Sequence, residues 1–156
     1  MTRTVNIGLV GAGTVGGGVL KALRRNGALM ASRLGARLRV GRVAVRRLKK
    51  ERDFKVAKGV LTTDWKSVVN DPKIDLVVEL IGGTTTAKDV VLAALGVGKP
   101  VVTANKALLA FHGEKLFAAA EKSGANLYYE ASVAGGVPII KVIREALVGN
   151  RVPNLF

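Results

Sequence analysis

Short apolar runs alternate along this chain with segments whose apolar positions recur every three or four residues. Val5–Val10 is an apolar run of strand length, and Val15, Val19, Ala22 and Leu23 then share one face of a predicted helix over about 14–26. A basic, glycine-broken connection is expected over Asn26–Gly35. Arg37–Val45 follows as a strand, with Leu38, Val40, Val43 and Val45 set against Arg37, Arg39 and Arg42. Asp64–Asn70 reads as a short helix capped by Asp64 and stopped by Asn70-Asp71-Pro72. Ile74–Ile81 is almost continuously apolar, which predicts a strand buried on both faces. After Gly82-Gly83, Thr84–Thr86 open a helix to about Val97, and Gly98-Lys99-Pro100 turns into the strand Val101–Thr103. A helix over 107–122 carries Leu108, Leu109, Phe111, Leu116 and Phe117 and ends at Ser123-Gly124. Asn126–Val133 is predicted as a further strand. Beyond the loop Ala134-Gly135-Gly136, Pro138 opens a helix through Leu147 with Ile139, Val142, Ile143, Ala146 and Leu147 inside. Strands alternating with helices at this spacing predict an α/β fold, a doubly wound parallel sheet with helices on both faces.

The first strand–helix junction carries chemistry. Gly11-Ala12-Gly13-Thr14-Val15-Gly16 is a G-x-G-x-x-G turn between a strand and a helix, the context that a dinucleotide-binding fingerprint requires. Gly11 permits the tight turn, Gly13 lets backbone approach a pyrophosphate, and Gly16 lets helix and strand pack closely. The first helical turn adds unpaired N–H groups and a positive dipole end. In this fold an acid at the end of the second strand holds a ribose 2′-hydroxyl, whereas an arginine nearby accommodates a 2′-phosphate. The chain offers Arg46, Arg47, Lys49, Lys50 and Arg52 there, with acids only at Glu51 and Asp53. That favours NADP over NAD; the alternative is a solvated basic loop.

Composition narrows the field. Of 156 residues, 49% are hydrophobic and 23% charged, which is globular material. There is no cysteine, so thiolate chemistry and disulfides are excluded, and the single histidine, His112, forms no metal cluster. The chain opens directly into a strand, and no apolar run approaches membrane-spanning length, so a soluble cytoplasmic protein is expected. Twenty-five Lys and Arg against 11 acids give +14, which suits a phosphate-bearing ligand, a polyanionic partner or a fragment whose acidic remainder lies elsewhere. A nucleic-acid binder would draw support from that charge alone. The 4% aromatic content and the lack of a helix-turn-helix pattern argue against it.

Three stretches, GAGTVGGGV at 11–19, VVTANKA at 101–107 and YYEASVAGGVPII at 128–140, together closely resemble the cofactor domain of homoserine dehydrogenase. The resemblance runs over essentially the whole chain. It implies a Rossmann-like domain, with Gly11, Ala12, Gly13, Thr14, Val15 and Gly16 at the cofactor pyrophosphate and Arg46 at the ribose phosphate. Arg47 departs from the family pattern, in which an aspartate often follows that arginine; losing the carboxylate favours NADPH over NADH. Lys106 matches a lysine close to the nicotinamide and the substrate. Glu130, with the carbonyls of Val133, Gly135 and Val137, matches a monovalent-cation site usually assigned to sodium, and its alternative is a capping carboxylate. His112 matches nothing functional.

The implied reaction interconverts aspartate 4-semialdehyde and homoserine with NADP(H), or NAD(H) as the lesser cofactor. The expected division is a cofactor domain at 1–135 and, at 136–156, the start of a catalytic and dimerising region. Relatives continue into that region, which supplies the acid–base residues, so homo-oligomers are expected only with it. An exposed apolar patch is predicted at the last helix. The rival reading is a non-catalytic nucleotide-binding module.

Overall fold

In a computed structural model, residues 3–151 are described. Six strands form one parallel sheet: β1 (Arg3–Val10), β2 (Ala36–Ala44), β3 (Leu61–Thr62), β4 (Leu76–Glu79), β5 (Val101–Thr103) and β6 (Leu127–Tyr128), in the order β3-β2-β1-β4-β5-β6. Six helices connect or follow them: α1 (Thr14–Leu34), α2 (Trp65–Val69), α3 (Thr85–Gly96), α4 (Lys106–Ser123), α5 (Glu130–Val133) and α6 (Ile139–Lys141), the last running into a π-helical turn Val142–Ala146. The chain leaves β1 in one direction and returns to its other side at β4, so the order reverses between these two strands. A crevice therefore opens at their carboxyl ends.

Successive residues of the central strands feed two cores, as strands covered on both faces must. Val10, Ala44, Val77 and Val101 face the larger core with Val68, Val90, Leu95, Leu108 and Leu116 of α2, α3 and α4. Leu9, Val43 and Val78 face a smaller one, closed by Leu20 of α1 and by Phe54 and Val56 of the long β2–β3 connection. The sheet is thus wound on both sides, but unevenly. No described helix is long and apolar enough to cross a membrane.

Several elements depart from the sequence reading. The segment 26–34 is not a connection: α1 continues through Gly27 and ends at Leu34, where Gly35 takes a left-handed conformation, φ 66°. One interior glycine costs a helix only about 1 kcal/mol, and Ala28, Leu29, Met30 and Ala31 are good helix formers. Leu29 and Leu34 are more than half exposed, so no apolar stripe marked this half of α1. Val15, expected on the packed face, is 58% exposed, while Gly16, Gly17 and Leu20 make the contact. The strand expected over 126–133 pairs only at Leu127 and Tyr128. Its partner β5 is three residues long, and the Thr103 carbonyl accepts the Ser132 hydroxyl (2.9 Å) instead of a ladder amide, so Glu130–Val133 coils into a helical turn. Phe111 points outward, and Phe117 is only partly covered, with its ring edge-on to Tyr129 at 5.2 Å. In the final helix none of the expected apolar positions is buried. Val137, Val142, Leu147 and Val148 are exposed there, which gives the apolar patch expected of this segment. Of the tail beginning at Asn150, residues 152–156 lie outside the described residues.

Polar side chains fix the amino-terminal edge of the sheet. Asp75 accepts the Asn6 amide, joining β1 to the entry of β4. Asp71 accepts Arg42 Nε of β2 (2.9 Å) and the Lys73 amide (2.9 Å). Lys99 donates to the carbonyls of Val69 and Asp71, both at 2.6 Å, and closes the end of α2; its partial burial lowers its pKa, against the opposing pull of Asp71 and Asp75. The Lys73 amide, and after it Arg42, hold the Asp71 carboxyl below its ordinary pKa. A depressed carboxyl stabilises the fold above its unfolded value, about pH 4, and that contribution is lost as pH falls through the folded value. Asp71→Asn is therefore expected to lower Tm at neutral pH and to flatten the loss of Tm on acidification from about pH 5 to about pH 3, as followed by circular dichroism.

Candidate functional site

The glycine turn is held between two neighbouring strands. The Gly11 amide donates to the Ala44 carbonyl (2.9 Å), and the Leu80 amide donates to the Val10 carbonyl (2.7 Å), so the chain leaves β1 wedged between the exits of β2 and β4. Gly11 has φ 101°, and a Cβ there would lie 2.5 Å from the Leu80 backbone; both facts demand glycine. A Cβ on Gly16 would lie 2.1 Å from the Gly11 carbonyl oxygen, so the first turn of α1 rests directly on the turn that precedes it. Gly13, the residue before α1, has open space where its Cβ would be. No side chain caps α1 and no acid lies in its first turn, which leaves the dipole's positive end available to an anion.

A cleft of about 560 Å³ opens at this edge. Gly11, Ala12 and Gly13 form one wall, Arg46, Arg47 and Lys50 a second, and Ile81, Gly82 and Gly83 a third. No carboxylate is among its lining residues, so the charged side chains of the lining are all basic. Arg52 also lines it, but its terminal nitrogens donate to the carbonyls of Leu48 (2.9 Å), Lys50 (2.7 Å) and Arg47, while its buried Nε has no partner among the described residues. Arg52 thus shapes the loop that presents Arg46, Arg47 and Lys50. Two further contacts tie that loop to α1: Lys21 is paired with Asp53, holding its carboxyl below the ordinary pKa, and the Phe54 ring lies against Gly17.

The structure therefore brings Gly11, Ala12, Gly13 and Arg46 together. Thr14 and Val15 are exposed on the first turn of α1, outside the cleft lining, and Gly16 is buried beneath it. Lys106 is the exposed first residue of α4, one strand further on, and is not part of the lining. Glu130 sits apart again. Its carboxylate oxygens accept the amides of Ile140 (2.8 Å) and Lys141 (3.0 Å), and the Val137 carbonyl accepts the Ile139 amide (2.8 Å). Among the described residues no three His, Asp or Glu side chains gather as a metal cluster.

The sequence reading missed Thr63 and Trp65, which line the cleft beyond the basic loop, and a buried polar group beside it. Glu79, fully buried, accepts the Ile81 amide (2.9 Å) and the Thr103 hydroxyl (2.6 Å). Its signal was a lone carboxylate in the apolar stretch Leu76–Ile81.

The sequence model of the family described as "Homoserine dehydrogenase, NAD binding domain" matches residues 11–130. The chain belongs to the homoserine dehydrogenase family. It is 47% identical over 150 residues to the homoserine dehydrogenase of Pseudomonas aeruginosa, a match that covers 96% of this chain and 34% of that protein. The homoserine dehydrogenase crystal structure from Thiobacillus denitrificans superposes with a TM-score of 0.86 at 51% identity, over 96% of this chain and 34% of that one. A hyperthermophilic archaeal homoserine dehydrogenase solved in complex with NADPH matches with a TM-score of 0.74 at 26% identity, over 94% of this chain and 50% of that one. The chain thus spans about a third of the length of the curated homoserine dehydrogenases it matches. The Rossmann-like sheet read from the sequence is the fold of this family's nicotinamide-cofactor domain.

Gly16 and Gly13 of the motif are separable by experiment. Gly16→Ala is expected to cost about 1–3 kcal/mol through backbone overlap and to lower Tm accordingly in thermal unfolding. Gly13→Ala is expected to stay within about 1 kcal/mol of the parent.

Proposed function

We propose that this chain is the NADP(H)-binding part of a cytoplasmic homoserine dehydrogenase that interconverts aspartate 4-semialdehyde and homoserine. The observation that carries the reading is the shared cleft, in which the glycine turn and α1 offer amides to a pyrophosphate while Arg46, Arg47 and Lys50 stand where a ribose 2′-phosphate would lie. Three cations without a carboxylate favour the phosphorylated cofactor, since an acid there would repel the phosphate and hold a free 2′-hydroxyl instead. The archaeal relative was solved in complex with NADPH, so a cofactor of this kind is bound by a protein of similar fold.

The bound nicotinamide would exchange hydride with the carbonyl carbon of the semialdehyde. This chain's share is placement and electrostatics. Gly11–Gly16 would seat the pyrophosphate and Arg46 the ribose phosphate. Lys106, at the carboxyl end of β5, would hold an anionic group of the substrate near the reacting carbon, and we assign it as the residue of this chain at the chemistry. Glu130, with the carbonyls of Val133, Gly135 and Val137, would hold a sodium ion; each of its oxygens keeps a lone pair beyond the amide it accepts. Residues 1–135 form the cofactor domain in this reading and 136–156 begin the catalytic and dimerising region, through which the enzyme would form homo-oligomers.

Calorimetric titration of the 156-residue chain with NADPH and with NADH tests the reading. Saturable binding that favours NADPH is expected, and absence of binding by either would overturn it. Trp65, the only tryptophan, lines the cleft, so its fluorescence should change on binding. Arg46→Ala is expected to weaken NADPH roughly tenfold or more and NADH less than about threefold; equal losses would remove the 2′-phosphate assignment. Gly13→Ala should lose cofactor affinity at almost unchanged Tm, because its methyl group would stand where a pyrophosphate must approach.

A further inference from the structure

Glu79 is a fully buried carboxylate that takes part in none of the described ion pairs. An apolar residue would continue the strand at no desolvation cost, whereas a buried carboxylate needs its acceptors filled. The protons around Glu79 can be followed one by one. Thr103 spends its single hydroxyl proton on Glu79 Oε2 (2.6 Å), so its oxygen is left to accept the Asn105 amide (3.2 Å). Asn105 Nδ2 donates to the Gly83 carbonyl (2.6 Å), which fixes the orientation of its amide, and Asn105 Oδ1 accepts the Leu108 amide (3.0 Å) and opens α4. The Ile81 amide closes the chain of bonds on Glu79 Oε1 (2.9 Å). One carboxylate thereby sets both the Ile81–Gly83 wall of the cleft and the start of α4, where Lys106 stands.

We propose that Glu79 and Thr103 are positioning residues for the nicotinamide end of the cofactor site, acting through Asn105 and the Gly83 carbonyl. The proposal rests on the cofactor reading above and adds the assignment of ends. The arginines after β2 take the adenosine side and the glycine turn after β1 takes the pyrophosphate. A dinucleotide that crosses the switch point then has only the ends of β4 and β5 left for its other half. Those are the two ends that Glu79 and Thr103 join.

The test compares two ligands on the full 156-residue chain by calorimetry: NADPH, and 2′-phospho-ADP-ribose, which has the same adenosine and pyrophosphate but no nicotinamide. Glu79→Gln either sets its amide N–H against the Ile81 N–H or donates to the Thr103 oxygen and leaves the hydroxyl proton without its acceptor, and Thr103→Val removes the hydroxyl at nearly constant volume. Each is expected to weaken NADPH about tenfold while changing 2′-phospho-ADP-ribose by less than about threefold. Thr103→Ser restores the hydroxyl and should restore the parent affinities. Asn105→Ala breaks the link to Gly83 outside the core and should give the same selective loss if the buried variants fold poorly. A purely structural role would lower Tm and leave the ratio of the two affinities unchanged. That result, equal weakening of both ligands, or a parent chain that binds the two equally well, would overturn the proposal. A parent chain that binds neither ligand would instead overturn the cofactor reading on which it stands.

Discussion

The contact between Gly16 and the Gly11 carbonyl is the constraint on which the rest of the carboxyl edge depends. With no side chain at either position, α1 starts directly on the turn that leaves β1, and that turn sits between the exits of β2 and β4. The helix N-terminus is thereby aimed into the place where the strand order reverses. Everything else at this edge, the arginines after β2 and the Glu79 bonds after β4, is arranged on either side of that point. A methyl group at Gly16 would move the helix, and the concavity would move with it.

Much of this was legible in the sequence, and the reasons differ by element. The central strands announced themselves because burial on both faces leaves no room for polar positions, and Asp64 stood where a helix start needs a side-chain acceptor. The second half of α1 was hidden because its leucines face solvent and its one glycine resembled a break. The strand expected beyond Tyr128 failed for a non-local reason: how far β6 extends depends on the length of β5 and on a hydroxyl at Ser132, which no window around 126–133 contains. In the site, the glycine turn was readable from its spacing and its strand–helix context, and Arg46 from its place after the second strand and from the family resemblance. Arg52 was counted among the cations on offer, yet three carbonyls of its own loop take it up, and only coordinates separate a cation that faces a ligand from one that holds its neighbours.

The charge of +14 also takes on a local meaning. Three of its cations stand together on one wall of an acid-free cleft, while Arg42, Lys21 and Lys99 serve internal acids and carbonyls. Net charge alone pointed equally to a polyanion and to a phosphorylated ligand. The distribution around the crevice favours the latter.

The uneven cover of the sheet couples the cleft to the fold. The larger core has three helices over it, but the smaller one is closed partly by Phe54 and Val56 of the same β2–β3 connection that carries Arg46, Arg47 and Lys50. One segment is therefore both the roof of a core and the wall of the candidate site. An anion seated on those arginines would hold that roof down. The amides of β2 and β3 would then exchange with solvent more slowly in the liganded chain than in the free one, although no ligand atom touches them, because local opening would first have to release the ligand.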